Sequence, residues 1–143
     1  MYSYEYPRPA LTVDAIIFAK DRAPFSVLLI RRGREPFKGK WALPGGFVDM
    51  HELLEESCIR ELHEETGLRI DKMQQFRAYD SIDRDPRGRT ISVVFYAELA
   101  SLPEVTGGDD ADSAGWYPYT ELPPLAFDHR QILLDFYQKK ILK

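Results

Sequence analysis

Three carboxylates crowd one short stretch of this chain. In Arg60-Glu-Leu-His-Glu-Glu-Thr-Gly-Leu68, a helical advance of about 100° per residue sets Glu61 nearly above Glu65, with Glu64 within a turn of both. Like charges at these spacings repel and destabilise an isolated helix, so something must offset the cost. One answer is a divalent cation. Carboxylate oxygens are hard ligands, and Mg²⁺, with Mn²⁺ as the alternative, suits an all-oxygen site that keeps several waters and bridges to the phosphates of a substrate. The other answer is a solvated acidic face, relieved by Arg60 and His63.

The cluster needs a helix to hold it, and the flanking residues read as one. Asp49 stands at a capping position with Glu52 three residues on, the spacing of a capping box. Good helix formers run through Glu65, and Gly67 falls where a helix closes in a left-handed turn. Cys58, Ile59 and Leu62 lie on a neighbouring, core-facing side. The prolines of Tyr6 to Pro9 predict extended chain. Leu11 to Phe18 and Ser26 to Arg32 read as strands, with a turn at Arg22-Ala-Pro. Residues 33–47 read as loop around a short Trp41-Ala-Leu strand. Gln75 to Ile82 and Thr90 to Leu99 read as strands joined by the arginine-rich loop Asp83-Arg-Asp-Pro-Arg-Gly-Arg89. An acidic loop, Gly107 to Ser113, precedes a short strand, Ala114 to Tyr119. Asp128 caps a last helix in which Ile132, Leu133, Phe136 and Tyr137 recur at helical spacing. Strands dominate, with one central and one terminal helix, so the predicted class is α+β.

The 143 residues, 44% hydrophobic and 29% charged, predict one domain over 1–143 with a core of its own. A net charge of −4 argues against broad nucleic-acid binding, which needs a basic footprint, but leaves room for a small nucleotide ligand. The single cysteine excludes a disulfide framework and a cysteine-rich zinc site. It reads as core packing. No apolar run approaches the ~20 residues of a membrane span, no secretory signal is visible, and the expected home is the cytoplasm. His51, His63 and His129 show no zinc-like spacing.

Taken with its surroundings, the cluster reads Gly46-x5-Glu52-x7-Arg60-Glu61-Leu62-x-Glu64-Glu65-x-Gly67-Leu68. This matches the Nudix box at every specified position, and at ordinary residue frequencies a chance match is rarer than about one in a million. The sequence resembles a Nudix hydrolase, and the strand order on both sides of the box is similar too. The resemblance implies a mixed β-sheet sandwiched between helices and metal-dependent hydrolysis of a nucleoside diphosphate linked to another group. By position it makes Glu61, Glu64 and Glu65 metal ligands, with a backbone carbonyl of Gly45 or Gly46 as another. It makes Glu52 and Arg60 a supporting pair, with Arg60 orienting the carboxylates. The base stays open between Glu65 and the acids Asp109, Asp110 and Asp112. Adjacent carboxylates titrate as a group.

Features outside the box bear on the substrate. Arg31 or Arg32, ending a strand that leads to the box, is placed to offer a planar donor fork to a phosphate. Phe37 or Trp41 offers a face for an adenine, with packing against the sheet as the competing use. The segment Arg84-Asp-Pro-Arg-Gly-Arg-Thr-Ile-Ser92, with Arg84 and Arg87 as candidate substrate contacts, is similar to the ADP-ribose pyrophosphatase branch of the family. Pro124-Leu-Ala-Phe-Asp-His129 is similar to that branch and to its ligand-sensing relatives. The expected reaction is therefore ADP-ribose to AMP and ribose 5-phosphate. A nucleoside triphosphate or nucleotide-sugar hydrolase is the alternative, and a non-catalytic ADP-ribose-sensing domain is a rival of another class. The stretch after Tyr119 is too short for a winged DNA-binding domain, and the complete carboxylate set exceeds what a sensor needs. A homodimer is expected by analogy with that branch alone. Glu65→Gln, which removes charge and not volume, is expected to abolish most metal-dependent turnover while circular dichroism and melting show the fold retained. A wild-type rate in this variant removes Glu65 from both the ligand and the base roles.

Overall fold

The computed structural model describes residues 2–19 and 25–141. The predicted Arg22-Ala-Pro turn lies outside them. In chain order the elements are β1 (Ala10–Ala19), β2 (Ser26–Arg32), β3 (Trp41–Ala42), β4 (Gly45–Phe47), α1 (Leu54–Thr66), β5 (Gln74–Tyr79), β6 (Thr90–Leu99), β7 (Ala111–Pro118), a 3₁₀ turn (Tyr119–Glu121), α2 (His129–Phe136) and a π-helical turn (Tyr137–Ile141). The strands form one mixed sheet in the order β3-β2-β1-β6-β5, with β4 added to β1 and β7 to β2. The α+β expectation and the sheet between helices hold.

β1 explains the layering. It runs parallel to β6 along its whole length, so both of its faces are covered and its side chains alternate between two cores. Val13, Ala15 and Ile17 pack with Leu28, Val93, Phe95 and the α1 residues Cys58 and Leu62. Ile16 and Phe18 pack with Leu29, Val94 and the α2 residues Ile132, Leu133 and Phe136. Each fully buried aliphatic side chain contributes about 1.5–3 kcal/mol of hydrophobic stabilisation. Cys58 is part of this core, and burial pushes its thiol far above the ordinary range.

The other edge of β1 opens a fork. Among the described residues β1 meets β2 only at Phe18↔Val27 and Ala19↔Ser26. The same edge of β1 then pairs with β4 through Thr12, Val13 and Asp14, while β2 pairs with β3 through Ile30 and Arg31. The segment from Trp41 to Phe47 thus fills the gap between the diverging strands. Residues 45–47, expected as loop, are a strand because their backbone groups find partners on β1. Likewise β7 begins at Ala111 rather than Ala114, since Arg32 pairs with Ala111.

α1 starts later than expected, and α2 starts after Asp128 as expected but without its side-chain cap. α1 begins after Leu53, whose N–H donates to the Glu56 carboxylate at 2.8 Å. Asp49 does not cap it, and Glu52 is engaged by Ser57 and Arg60 instead. Asp128 precedes α2, but its side chain makes no cap because Arg84 takes both carboxylate oxygens. At Asp128 a charged partner outcompetes a backbone amide, whereas Asp49 lies ahead of the cap residue Leu53 and its Oδ1 accepts the His51 N–H at 3.4 Å. The end of α1 is as expected: Gly67 is left-handed at φ 77°, with its N–H donating to His63 O at 2.9 Å. Leu62 is fully buried between α1 and the sheet. Leu62→Ala is expected to cost about 2–5 kcal/mol in urea unfolding, and a loss under 1 kcal/mol would contradict this packing.

Candidate active site

One side of α1 faces the core, and the adjoining side carries the acids toward β4. Glu65 is 6% exposed and its Oε1 accepts the Gly45 N–H at 2.8 Å. The two glycines permit this approach. A Cβ on Gly45 would stand 2.2 Å from Val13 O and 2.4 Å from Asp14 Oδ1, and one on Gly46 would stand 2.5 Å from the Glu61 carboxylate. At Gly45 no other residue type fits without moving backbone, and at Gly46 one would displace the Glu61 carboxylate.

Arg60 organises the acids that remain. Its Nε donates to Glu52 Oε2 at 2.8 Å, and its Nη1 to Glu61 Oε2 and Glu64 Oε1, both at 3.1 Å. The Ser57 hydroxyl donates to Glu52 at 2.7 Å. The hydrogen bond from Arg60 holds the Glu52 carboxyl below its ordinary range. One oxygen each of Glu61, Glu64 and Asp109 lies within 4.8 Å of the others. Asp109 arrives on a left-handed residue (φ 53°) in a loop fastened at both ends: Thr106 N–H donates to Thr66 O, and Gly33 N–H to Asp110 O. Arg34 adds an ion pair to Asp110. Burial pushes the Glu61 carboxyl up to about 7 despite Arg60, and raises Glu65 well above its ordinary value despite the Gly45 amide. Three hard oxygens within 4.8 Å of one another, beside the Glu61 and Glu65 carboxyls that burial leaves short of positive charge, fit a divalent metal ion, which Nudix hydrolases require.

The acids line a cleft of roughly 190 Å³ whose other walls are Thr12 and Asp14 of β1, Gly45–Phe47, Arg32, Arg34, the loop residues Arg84, Asp85 and Arg87, and Phe127 and His129 at the start of α2. Several residues singled out in the sequence therefore meet here: Gly45, Gly46, Glu61, Glu65, Arg32, Arg84 and Arg87. Glu64, Arg60 and Glu52 stand beside the cleft through the contacts just described. Arg31, Trp41, Phe37 and Asp112 do not line it. Arg31 is next to Arg32 on a strand, and neighbours on a strand point to opposite sides; Arg31 pairs with Asp112 at 3.0 Å instead. Trp41 packs edge-on against Tyr117 in the α2-side core, 4.9 Å between centroids. Arg84 lines the cleft but is spent on Asp128 at 2.7 Å with 3% of its side chain exposed. Arg87 is held by Asp85 at 2.8 Å. Burial, then the proximity of Arg87, lowers the pKa of Arg32.

Asp14, Asp85, Phe127 and the cleft position of His129 escaped the sequence reading. Asp14 did leave a signal, a lone carboxylate inside the apolar run Leu11–Phe18. Its Oδ2 accepts the Ser92 hydroxyl, and its Oδ1 lies 3.6 Å from His129 Nε2. Burial lowers the pKa of His129, whose Nδ1 accepts the Leu43 N–H at 3.0 Å, so the neutral ring carries its proton on Nε2.

This fold and acidic cleft define a Nudix protein. The NUDIX domain profile matches residues 8–136, and the chain belongs to that family. It is 46% identical over 135 residues to the ADP-ribose pyrophosphatase of Methanocaldococcus jannaschii, covering 94% of this chain and 77% of that protein. It is 34% identical to the ADPR responsive transcriptional repressor NtrR of Acinetobacter baylyi, covering 90% of this chain but only 53% of the repressor. The NUDIX domain of Shewanella oneidensis NrtR, solved in complex with ADP ribose, superposes with a TM-score of 0.87 at 31% identity, covering 94% of this chain and 90% of that one. Among the described residues no helix is long and apolar enough to cross a membrane.

The raised Glu61 value carries a sign. The folded protein holds that proton more tightly than the unfolded chain, so metal-free protein loses stability as pH rises from about 4.5 through about 7. In chelator, Glu61→Gln is expected to melt with wild type at pH 5 and above it at pH 8. Equal melting temperatures at both pH values would contradict the raised value.

Proposed function

We propose that this chain hydrolyses the pyrophosphate bond of ADP-ribose to give AMP and ribose 5-phosphate. The observation that carries the reading is the Glu61–Glu64–Asp109 oxygen cluster opening onto an arginine-lined cleft, in a chain 46% identical to an ADP-ribose pyrophosphatase. Glu61, Glu64 and Glu65, with a carbonyl of Gly45 or Gly46 and with Asp109, would hold Mg²⁺ or Mn²⁺. An ion there supplies charge neutralisation of the diphosphate and a lower pKa for bound water.

The chain's own groups do the rest. Arg32 presents its planar fork to the phosphate oxygens. Glu52 fixes Arg60, and Arg60 holds Glu61 and Glu64 in place. A carboxylate takes a proton from the attacking water as one P–O bond forms and the bridging P–O bond breaks. Asp110 and Asp112 are engaged by Arg34 and Arg31. Among the described residues Glu65, Asp109 and Asp14 line the cleft without an arginine hydrogen bond, and of the acids weighed as the base this favours Glu65 and Asp109. The substrate class is a small nucleotide, and the buried thiol of Cys58 suits a reducing cytoplasm.

Pure protein with ADP-ribose and Mg²⁺ is expected to release equal amounts of AMP and ribose 5-phosphate by chromatography, and chelator is expected to stop it. Tight calorimetric binding of ADP-ribose with no product would overturn hydrolysis in favour of sensing. Turnover of nucleoside triphosphates alone would overturn the substrate.

A further inference from the structure

The cleft contains side chains that the acidic cluster leaves unused. Phe127 has φ 53°, a left-handed conformation that a bulky residue rarely adopts. Its neighbours impose it: the Ala126 N–H donates to Trp41 O at 2.8 Å, and Asp128 is clasped by Arg84. The ring so placed lines the cleft, backed by Phe37 at 4.8 Å between centroids. On the β4 side Phe47, 49% exposed, lines the same cleft. The guanidinium of Arg87 lies 5.1 Å from the Phe47 ring centre and 5.7 Å from that of Phe127, whose ring also carries the Arg32 guanidinium at 5.1 Å. Asp85 meanwhile holds Arg87 through Nε at 3.1 Å and Nη2 at 2.8 Å.

A guanidinium is planar, delocalised and stacks on aromatic faces. We propose that Phe47 and Phe127 are the base-recognition platform of the cleft, and that the purine of the bound nucleotide takes over the ring contacts made by Arg87. Asp85 keeps the displaced guanidinium neutralised, so little charge is stranded by the exchange. Phe37 acts behind the platform by supporting Phe127, and Trp41 takes no part. This inference rests on the nucleotide reading above and names the residues that set its base preference.

The test compares AMP, which has a base, with ribose 5-phosphate, which has none, by calorimetry in Mg²⁺. Phe127→Gly removes the ring and suits the left-handed backbone, so the variant folds; Phe127→Tyr keeps a ring; Phe47→Leu removes the second face. Expected are a roughly tenfold loss of AMP affinity in Phe127→Gly and Phe47→Leu, and near wild-type affinity in Phe127→Tyr. Ribose 5-phosphate is expected to change by less than about twofold throughout. Unchanged AMP affinity in both ring-less variants, an equal loss for both ligands, or no AMP binding by wild type overturns the platform. Loss of AMP affinity as expected, in a protein that fails to cut ADP-ribose, supports the platform and overturns the substrate reading alone.

Discussion

The contact on which the cleft depends is the approach of an acidic helix face to bare backbone. α1 can lay Glu61 and Glu65 against β4 because Gly45 and Gly46 lack the atoms that would collide with Glu61, Asp14 and the Val13 carbonyl. The Gly45 amide returns part of the hydration that Glu65 loses, but the buried Glu65 and the half-buried Glu61 still share a region of low dielectric. Arg60 reaches Glu61 and Glu64 but not Glu65, and it is itself fixed by Glu52. The arrangement therefore carries excess negative charge toward the cleft, as a cation site requires.

Beneath this surface a polar layer ties the sheet to α2. Ser92 of β6 holds Asp14 of β1, Asp14 faces His129, and His129 accepts from the Leu43 backbone between β3 and β4. The Arg84–Asp128 pair closes the same region from the β5–β6 loop. Such a layer contributes less net stability than apolar packing of equal volume would, because each charge must first be desolvated. It locates the cleft walls relative to one another, since each bond joins a different element.

How much of this was legible in the sequence follows from the range of the forces involved. α1 and its acidic face were readable because helical periodicity and the box spacing are local. The two-core alternation of β1 was readable as an apolar run, although its partners were not. The side-chain cap expected of Asp128 failed because a distant charge claims its carboxylate, and no local rule sees Arg84 coming, while α1 starts after Leu53 rather than after Asp49. Arg31 and Arg32 looked equivalent until strand pairing chose which one faces the cleft. Phe127 was hidden inside Pro124-Leu-Ala-Phe-Asp-His129, since its unusual backbone is imposed by β3 and by the arginine loop.

The fork between β1 and β2 has an evolutionary consequence. The catalytic floor is built where backbone meets backbone, so it admits almost no variation. The opposing wall is assembled from the tips of two separate connections, residues 33–37 and 84–87, and lengthening a surface connection costs only a slowly growing entropy. A lineage carrying this scaffold can therefore exchange one preferred molecule for another by editing those connections while its reaction chemistry stays intact.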